Sequence, residues 1–268
     1  MQKILVPTDF SPVADNALNH AIDLAALFQA EILLYHVYNF QRSVHYNSNY
    51  PEHEQPFVKD IEKAMETTKQ KFSAQVRDKG VSLTTQIKED SVFALFGKEA
   101  DEHHIDFIVM GSKGATGVSK VIFGSFAATA MDIAEVPVLV VPPACLSSPI
   151  KKIVLASDQE EVSETTLLPL QKLALKTKAN VTVLNVKTGT AKNDPALHLK
   201  LVGVETTHQE IPASGSVNET INNYVEEHNF DLIAMIRRDR GFFEGLFKRS
   251  ITKDQVYNSS IPILILPE

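Results

Sequence analysis

Lys3-Ile4-Leu5-Val6-Pro7-Thr8-Asp9 returns 149 residues later as Lys152-Ile153-Val154-Leu155-Ala156-Ser157-Asp158. Each stretch is a lysine, three aliphatic residues, a small residue, a hydroxyl residue and an aspartate. At the same offset Ala30-Glu31-Ile32-Leu33-Leu34-Tyr35-His36-Val37 matches Ala179-Asn180-Val181-Thr182-Val183-Leu184-Asn185-Val186. Further along, the offset becomes 125. His104-Ile105-Asp106-Phe107-Ile108-Val109-Met110 matches Asn229-Phe230-Asp231-Leu232-Ile233-Ala234-Met235, and Val136-Pro137-Val138-Leu139-Val140-Val141-Pro142 matches Ile261-Pro262-Ile263-Leu264-Ile265-Leu266-Pro267. Self-similarity in this order is the mark of a duplicated unit. It predicts two related domains, 1–148 and 149–268, divided in the stretch from Pro142-Pro143 to Pro149. The two offsets differ by 24 residues, which puts an insertion between Tyr38 and about Gly80 of the first copy.

Within each copy short apolar runs alternate with helical patterns. Residues 4–6, 32–36, 83–87, 105–110 and 138–141 are rich in branched residues and nearly continuous in hydrophobicity, as strands buried on both faces of a parallel sheet are. After the first run, Ser11-Pro12 reads as an N-cap followed by an N1 proline, and Leu18, Ala21, Ile22, Ala25 and Phe28 follow at helical spacing. Residues 57–79 form a second helix stopped by Gly80, with further helices at 93–103 and 125–134. This alternation predicts an α/β fold with a doubly wound parallel sheet in each copy. In such sheets ligands bind at the strand carboxyl ends where the winding reverses. Asp9, Val37 and Gly111 all fall at expected strand ends. The last strand of each copy is an apolar sheet edge, and edges of that kind pair. The two are expected to pair antiparallel and make an intrachain pseudo-dimer.

Composition narrows the function classes. The chain of 268 residues carries 26 Lys and Arg against 33 Asp and Glu, a net charge of −7, so a globally basic nucleic-acid binder is not expected. The longest apolar runs, 136–141 and 261–266, are far too short to span a bilayer, and the N-terminus lacks the apolar core of a secretory signal. A cytoplasmic protein without membrane or nucleic-acid partners is expected. The lone cysteine, Cys145, precludes an intrachain disulfide or a cysteine metal cluster. His36, His45, His53, His103 and His104 lack metal-ligand spacing, so no metal ligands are assigned.

The chemistry concentrates after the fourth strand. Gly111-Ser112-Lys113-Gly114-Ala115-Thr116-Gly117 precedes Gly124-Ser125, so four of the 11 glycines fall within 14 residues. Bare backbone amides followed by a helix N-terminus at Ser125 make an anion cradle, to which the serine hydroxyl adds a donor. The spacing is neither a Walker A loop nor the dinucleotide G-x-G-x-x-G. Gly111-x-x-Gly114, nine residues, then Gly124-Ser125 resembles the nucleotide-binding signature of the universal stress protein family. The opening Val6-Pro7-Thr8-Asp9-Phe10-Ser11 and the ending Val-Pro-Val-Leu-Val-Val-Pro are similar to that family too. The resemblance covers essentially the whole chain as a tandem pair. It implies a Rossmann-like 3-2-1-4-5 sheet in each domain and an ATP-type adenine nucleotide in the competent one, with Mg or Mn as an optional companion of the phosphates. It further implies that Pro7, Thr8, Asp9 and Val37 hold adenine and ribose and that Met110 and Gly111 lie beside the ribose. Ser112, Lys113, Gly114, Gly124, Ser125 and the Phe126 amide would hold the phosphates. An aspartate at Asp9 is suited to accept from ribose hydroxyls; its alternative role is to cap the helix that follows.

The second copy departs from the signature. Gly111, Gly114 and Gly124 become Ile236, Asp239 and Arg249, and only Ser125 keeps its type, as Ser250. A carboxylate at the phosphate position repels the ligand, so one nucleotide per chain is expected. Arg237, Arg238, Arg240, Lys248 and Arg249 crowd that loop, which reads as an anion-binding patch or simply a solvated charged loop. Residues 38–56 read as a loop near the site, a candidate lid. The leading reading is a nucleotide-binding stress-response protein without assigned catalytic residues, whose second domain is a structural or regulatory partner. The alternatives are a slow ATPase or a phospho- or nucleotidyltransferase, and a nucleotide-free scaffold. Further homodimerisation is left open.

Overall fold

A computed structural model of the chain describes residues 1–39, 54–91, 94–113, 124–158, 161–187, 199, 201–238 and 260–268. The first half runs β1 (Lys3–Pro7), α1 (Pro12–Phe28), β2 (Glu31–Tyr38), α2 (Glu54–Asp78) and β3 (Ser82–Glu89). A π-helical turn, Leu95–Glu99, then leads into α3 (Ala100–Glu102), β4 (Phe107–Gly111), α4 (Ser125–Ile133) and β5 (Val138–Val141). The second half repeats the plan with β6 (Lys152–Ala156), α5 (Glu164–Thr177), β7 (Asn180–Lys187), β8 (Thr206–Pro212), α6 (Val217–His228), β9 (Leu232–Arg237) and β10 (Ile263–Pro267).

Local chemistry sets the helix ends. Ser11 Oγ accepts from the Ala14 amide at 3.2 Å, with Pro12 in the first turn of α1, as the sequence predicts. At the far end of α2, Gly80 has φ +64° and donates to the Arg77 carbonyl, while Val81 donates to Val76. That left-handed stop is one glycine adopts without a steric penalty. The expected helix at 93–103 is only partly regular, because a π-helical turn precedes α3.

Ten strands form one sheet in the order β3-β2-β1-β4-β5-β10-β9-β6-β7-β8. Each half is parallel throughout and has the expected 3-2-1-4-5 order. At the centre β5 and β10 pair antiparallel, with Leu264 opposite Leu139, Ile263 opposite Val140 and Ile265 opposite Val138. Strand side chains alternate between two faces. Ile4, Val6, Val109, Leu139, Leu264, Ala234 and Leu155 point to one face, covered by α1, α2 and α5; Leu5, Ile108, Val138, Ile265, Ile233 and Val154 point to the other, covered by α4 and α6. Both cores run unbroken through the β5–β10 seam. Helices on both faces explain why the strands read as continuous apolar runs.

The duplication holds down to single hydrogen bonds. Asp106 accepts from the amides of Gln2 and Lys3 at 2.7 and 3.0 Å, and Asp231 accepts from those of Lys151 and Lys152 at 2.7 and 2.8 Å. The halves differ in the crossover before their third strands. In the first, Met65 and Phe72 of α2 cover the core, whereas the second places Leu199 and Leu201 against the same face. Residues 142–147 return along α1, held by Asn16 Nδ2 on the Pro142 and Cys145 carbonyls at 3.2 and 2.7 Å, by His20 on Cys145 at 3.1 Å, and by Asp23, which accepts from Ser147.

The seam yields a stability prediction. Leu264 is fully buried at its centre, so Leu264→Ala should cost about 2–5 kcal/mol, the usual range for a core leucine. Urea denaturation of the whole chain measures it.

Candidate functional site

The carboxyl ends of the parallel strands β1, β2 and β4 lie at one end of the first-half sheet. From β1 the chain passes to α1 on one face, and from the adjacent β4 it passes to α4 on the other. The winding therefore reverses between β1 and β4, and a crevice opens at their carboxyl ends.

The β1 side is a braced turn. Pro7 and Thr8 are buried. Thr8 donates its amide to Tyr35 at 2.9 Å, its Oγ1 accepts from the Phe10 amide at 3.0 Å, and Asp9 Oδ1 accepts from the Ser11 amide at 3.1 Å. The helix cap itself is Ser11, so Asp9 shapes the turn and its side chain stays exposed. Phe10 has φ +64°, a strained value for a bulky residue. Its ring stacks on His36 with centroids 4.6 Å apart. His36 donates Nδ1–H to the Thr8 carbonyl at 2.8 Å, and burial holds its pKa below the ordinary 6.5 against that bond and the Asp9 charge. Phe10, His36 and Val37 form one wall of a pocket of about 620 Å³, and Phe57, Asp60 and Ile61 of α2 form another. That volume falls in the range of about 300–1,000 Å³ typical of small-molecule sites.

The β4 side brings the start and end of the glycine loop together. Ser112, buried, donates its amide to Val141 at 2.9 Å and its carbonyl accepts from the Gly124 amide at 2.7 Å. This bond sets Gly124 as the N-cap of α4, in extended conformation at φ −64° and ψ 157° and with no side-chain cap. Ser125, Phe126 and Ala127 open the helix, where first-turn amides find no acceptor within the helix. The Ser125 residue is exposed. A helix start of this kind favours an anion through both its amides and its dipole. Lys113 follows Ser112 at the crevice mouth; Gly114 and the rest of the loop to residue 123 lie outside the described residues, as do most of the candidate lid and the arginine-bearing stretch 239–259.

Two predicted positions have packing reasons of their own. Met110 is buried in the core on the α4 side, so it presents only backbone to the crevice. Gly111 lies against α1: a Cβ there would stand 2.7 Å from Val13 Cγ1 and 3.1 Å from the Val13 carbonyl oxygen. Glycine at this point lets α1 approach β4.

The second half is built differently at the same place. Ile236, the counterpart of Gly111, is buried in the core. Arg238, the counterpart of Lys113, forks onto Asp158, the counterpart of Asp9, with Nε and Nη2 each 3.0 Å from a carboxylate oxygen. Its Nη1 donates to the Glu161 carbonyl and to Glu268 at 2.9 Å each. The guanidinium thus engages both oxygens of the carboxylate that stands in the place of Asp9. Applying both offsets to Asp9 and Lys113 would have found this pair, since they set a carboxylate and a guanidinium on adjacent strand ends. A second group lay outside sequence reasoning. Glu99, buried on the π-helical turn, accepts from Lys88 and from Tyr35 at 3.0 Å. Burial pushes its carboxyl up, but these bonds outweigh that and hold it below the usual carboxylate range. Among the described residues no cluster of three or more His, Cys, Asp or Glu side chains could hold a metal ion, and no helix is long and apolar enough to cross a membrane.

Comparison with known proteins places these features. The model of the universal stress protein family matches residues 1–142 and 191–267. Universal stress protein MJ0531 of Methanocaldococcus jannaschii is 31% identical over 142 residues, 52% of this chain and 81% of that protein. Universal stress protein MJ0577 of the same organism is 26% identical over 153 residues, 52% of this chain and 94% of that protein. A universal stress protein from Archaeoglobus fulgidus shares the fold at 20% identity and a TM-score of 0.76, over 99% of this chain and 98% of that one.

Two outcomes follow from the packing. Gly111→Ala should destabilise the chain by about 1–3 kcal/mol through overpacking, and Val13→Ala should recover part of the loss; chemical denaturation of both single variants and the double variant tests this. Burial also lowers the pKa of His20 and His36 from 6.5. The unfolded chain then binds protons first, so their contribution is complete above about pH 6.5 and is lost as pH falls from there through the lowered folded values. The urea midpoint should drop between pH 7.5 and 5.5, and drop less in the His20→Asn/His36→Gln double variant.

Proposed function

The chain belongs to the universal stress protein family, and from that premise we propose that its first half binds one ATP-type adenine nucleotide as part of a stress response. The observation that carries this reading is the closing of the glycine loop at the winding reversal, where the Ser112 carbonyl at the end of β4 accepts from the Gly124 amide at the start of α4 at 2.7 Å. Asp9 and the backbone around it take the ribose, with adenine toward Val37. Ser112, Lys113, Gly114 and the first turn of α4 from Gly124 to Phe126 take the phosphates, with Mg or Mn bound through phosphate oxygens where present. We take 1–148 as the nucleotide-binding domain and 149–268 as its degenerate partner. The Arg238–Asp158 fork supports a single site per chain, because an arginine already satisfies the carboxylate there.

The chemistry of the cradle favours binding over turnover. No acidic residue lies between Gly111 and Phe126 to fix a metal or orient a nucleophile. Amides and hydroxyls bind ground-state phosphates about as well as the transition state, and uniform binding gives affinity without rate.

Calorimetry with ATP should give one site per chain, and Gly114→Asp, which copies the second half's residue, should abolish it; two equivalent sites would refute the assignment. Steady-state hydrolysis with Mg²⁺ or Mn²⁺ should stay below about 1 s⁻¹, the low end for enzymes. Rapid turnover removed by Gly114→Asp would instead make the protein an ATPase. Residues 1–148 expressed alone should dimerise or aggregate through the uncovered β5 edge, and a soluble monomer would count against the pairing of the two final strands as what that edge requires.

A further inference from the structure

Arg237 stands where the first half has Ser112, at the end of the strand beside the site. Ser112 bonds within its own half, whereas Arg237 reaches across the seam. The residue is buried, and its Nη1 donates to the Met131 carbonyl at 3.1 Å. Met131 lies in the last turn of α4, where carbonyls find no amide within the helix. The final helical bond there runs from the Ala134 amide to Ala130 at 3.0 Å. α4 has no means of its own to finish that end: the chain leaves through Ala134 in extended conformation, and the last turn holds no basic residue. The guanidinium supplies both a donor and a positive charge at the negative end of the helix dipole. At its other end the N-cap of this nine-residue helix is Gly124, which makes no side-chain cap, and the nucleotide reading assigns the first-turn amides to the phosphates.

We propose that Arg237 is a positioning residue for the phosphate cradle, through which the second half sets the nucleotide affinity of the first. The inference rests on the nucleotide reading above. Arg237 fixes α4 along its axis and so fixes the Ser125 and Phe126 amides against the phosphates, a placement that tolerates only about 0.5 Å of slack. Coupling of this kind is reciprocal: nucleotide at the N-terminus of α4 tightens the Arg237 contact at its C-terminus.

ATP titrated calorimetrically into the full chain, Arg237→Met and Arg237→Lys, beside unliganded melting curves, tests the proposal. Arg237→Met should bind at least about fivefold more weakly, the lower bound of typical coupling. Arg237→Lys, which keeps a charged donor, should recover most of the affinity. A merely structural arginine would lower the melting temperature of Arg237→Met and leave its Kd unchanged, and that result overturns the proposal. Should Arg237→Met fail to fold, hydrogen exchange on the wild-type chain decides. Bound ATP should slow exchange at residues 131–134 and 234–238; protection confined to the first half overturns the proposal. Wild-type chain that binds no ATP refutes the nucleotide reading and this inference with it, whereas ATP binding indifferent to Arg237 refutes this inference alone.

Discussion

Three facing pairs at the centre of the sheet, Leu139 with Leu264, Val140 with Ile263 and Val138 with Ile265, join the two halves. A five-stranded parallel sheet that ended at β5 would leave a row of backbone amides and carbonyls open beside an apolar strand. Antiparallel pairing with β10 satisfies that row. The pleat keeps Leu139 and Leu264 on one face and the valine and isoleucine pairs on the other, so the two cores merge across the joint. The seam also carries the end of β9 within reach of α4, which is what allows Arg237 to meet Met131.

The architecture was legible because its signals are local and repeated. Continuous apolar strands, the Ser11-Pro12 helix start and the Gly80 stop each follow from residues a few positions apart, and the duplicated heptad at Lys3 and Lys152 fixed the plan of both halves. Strand order came with the family resemblance. At the site, the sequence placed the residues after β1 and β4 at one crevice, and Ser112 and Gly124 do meet there. What escaped depends on partners distant in the chain. Gly111 has a packing reason as well, since Val13 stands 2.7 Å from where its Cβ would be. Met110 keeps its side chain in the core, a packing role that its neighbours in sequence do not announce. The Glu99 network needs Tyr35 from β2 and Lys88 from β3, 64 and 11 residues away, and no local pattern announces a buried carboxylate that two donors satisfy.

The halves have kept their scaffold and changed their strand ends. Asp106 and Asp231 still clasp the first strand of each unit in the same way, each carboxylate accepting from two backbone amides. At the crevice the strand ends have diverged. Arg238 and Asp158 satisfy each other in the second half, where the first half has Lys113 and Asp9. Helix α2 joins scaffold and crevice: Met65 and Phe72 cover the core on its sheet side, and Phe57, Asp60 and Ile61 wall the pocket beside β2.

Covalent linkage changes what the residue at the end of the fourth strand is free to become. In a dimer of identical subunits, one codon writes both copies of that position, so an arginine reaching the neighbour's helix would also stand in place of the small buried residue that opens the glycine loop. The tandem chain encodes the two places separately, as Ser112 and Arg237. One half can then carry the glycine loop while the other reaches the last turn of the helix that follows it, a division closed to any symmetric assembly of the same unit.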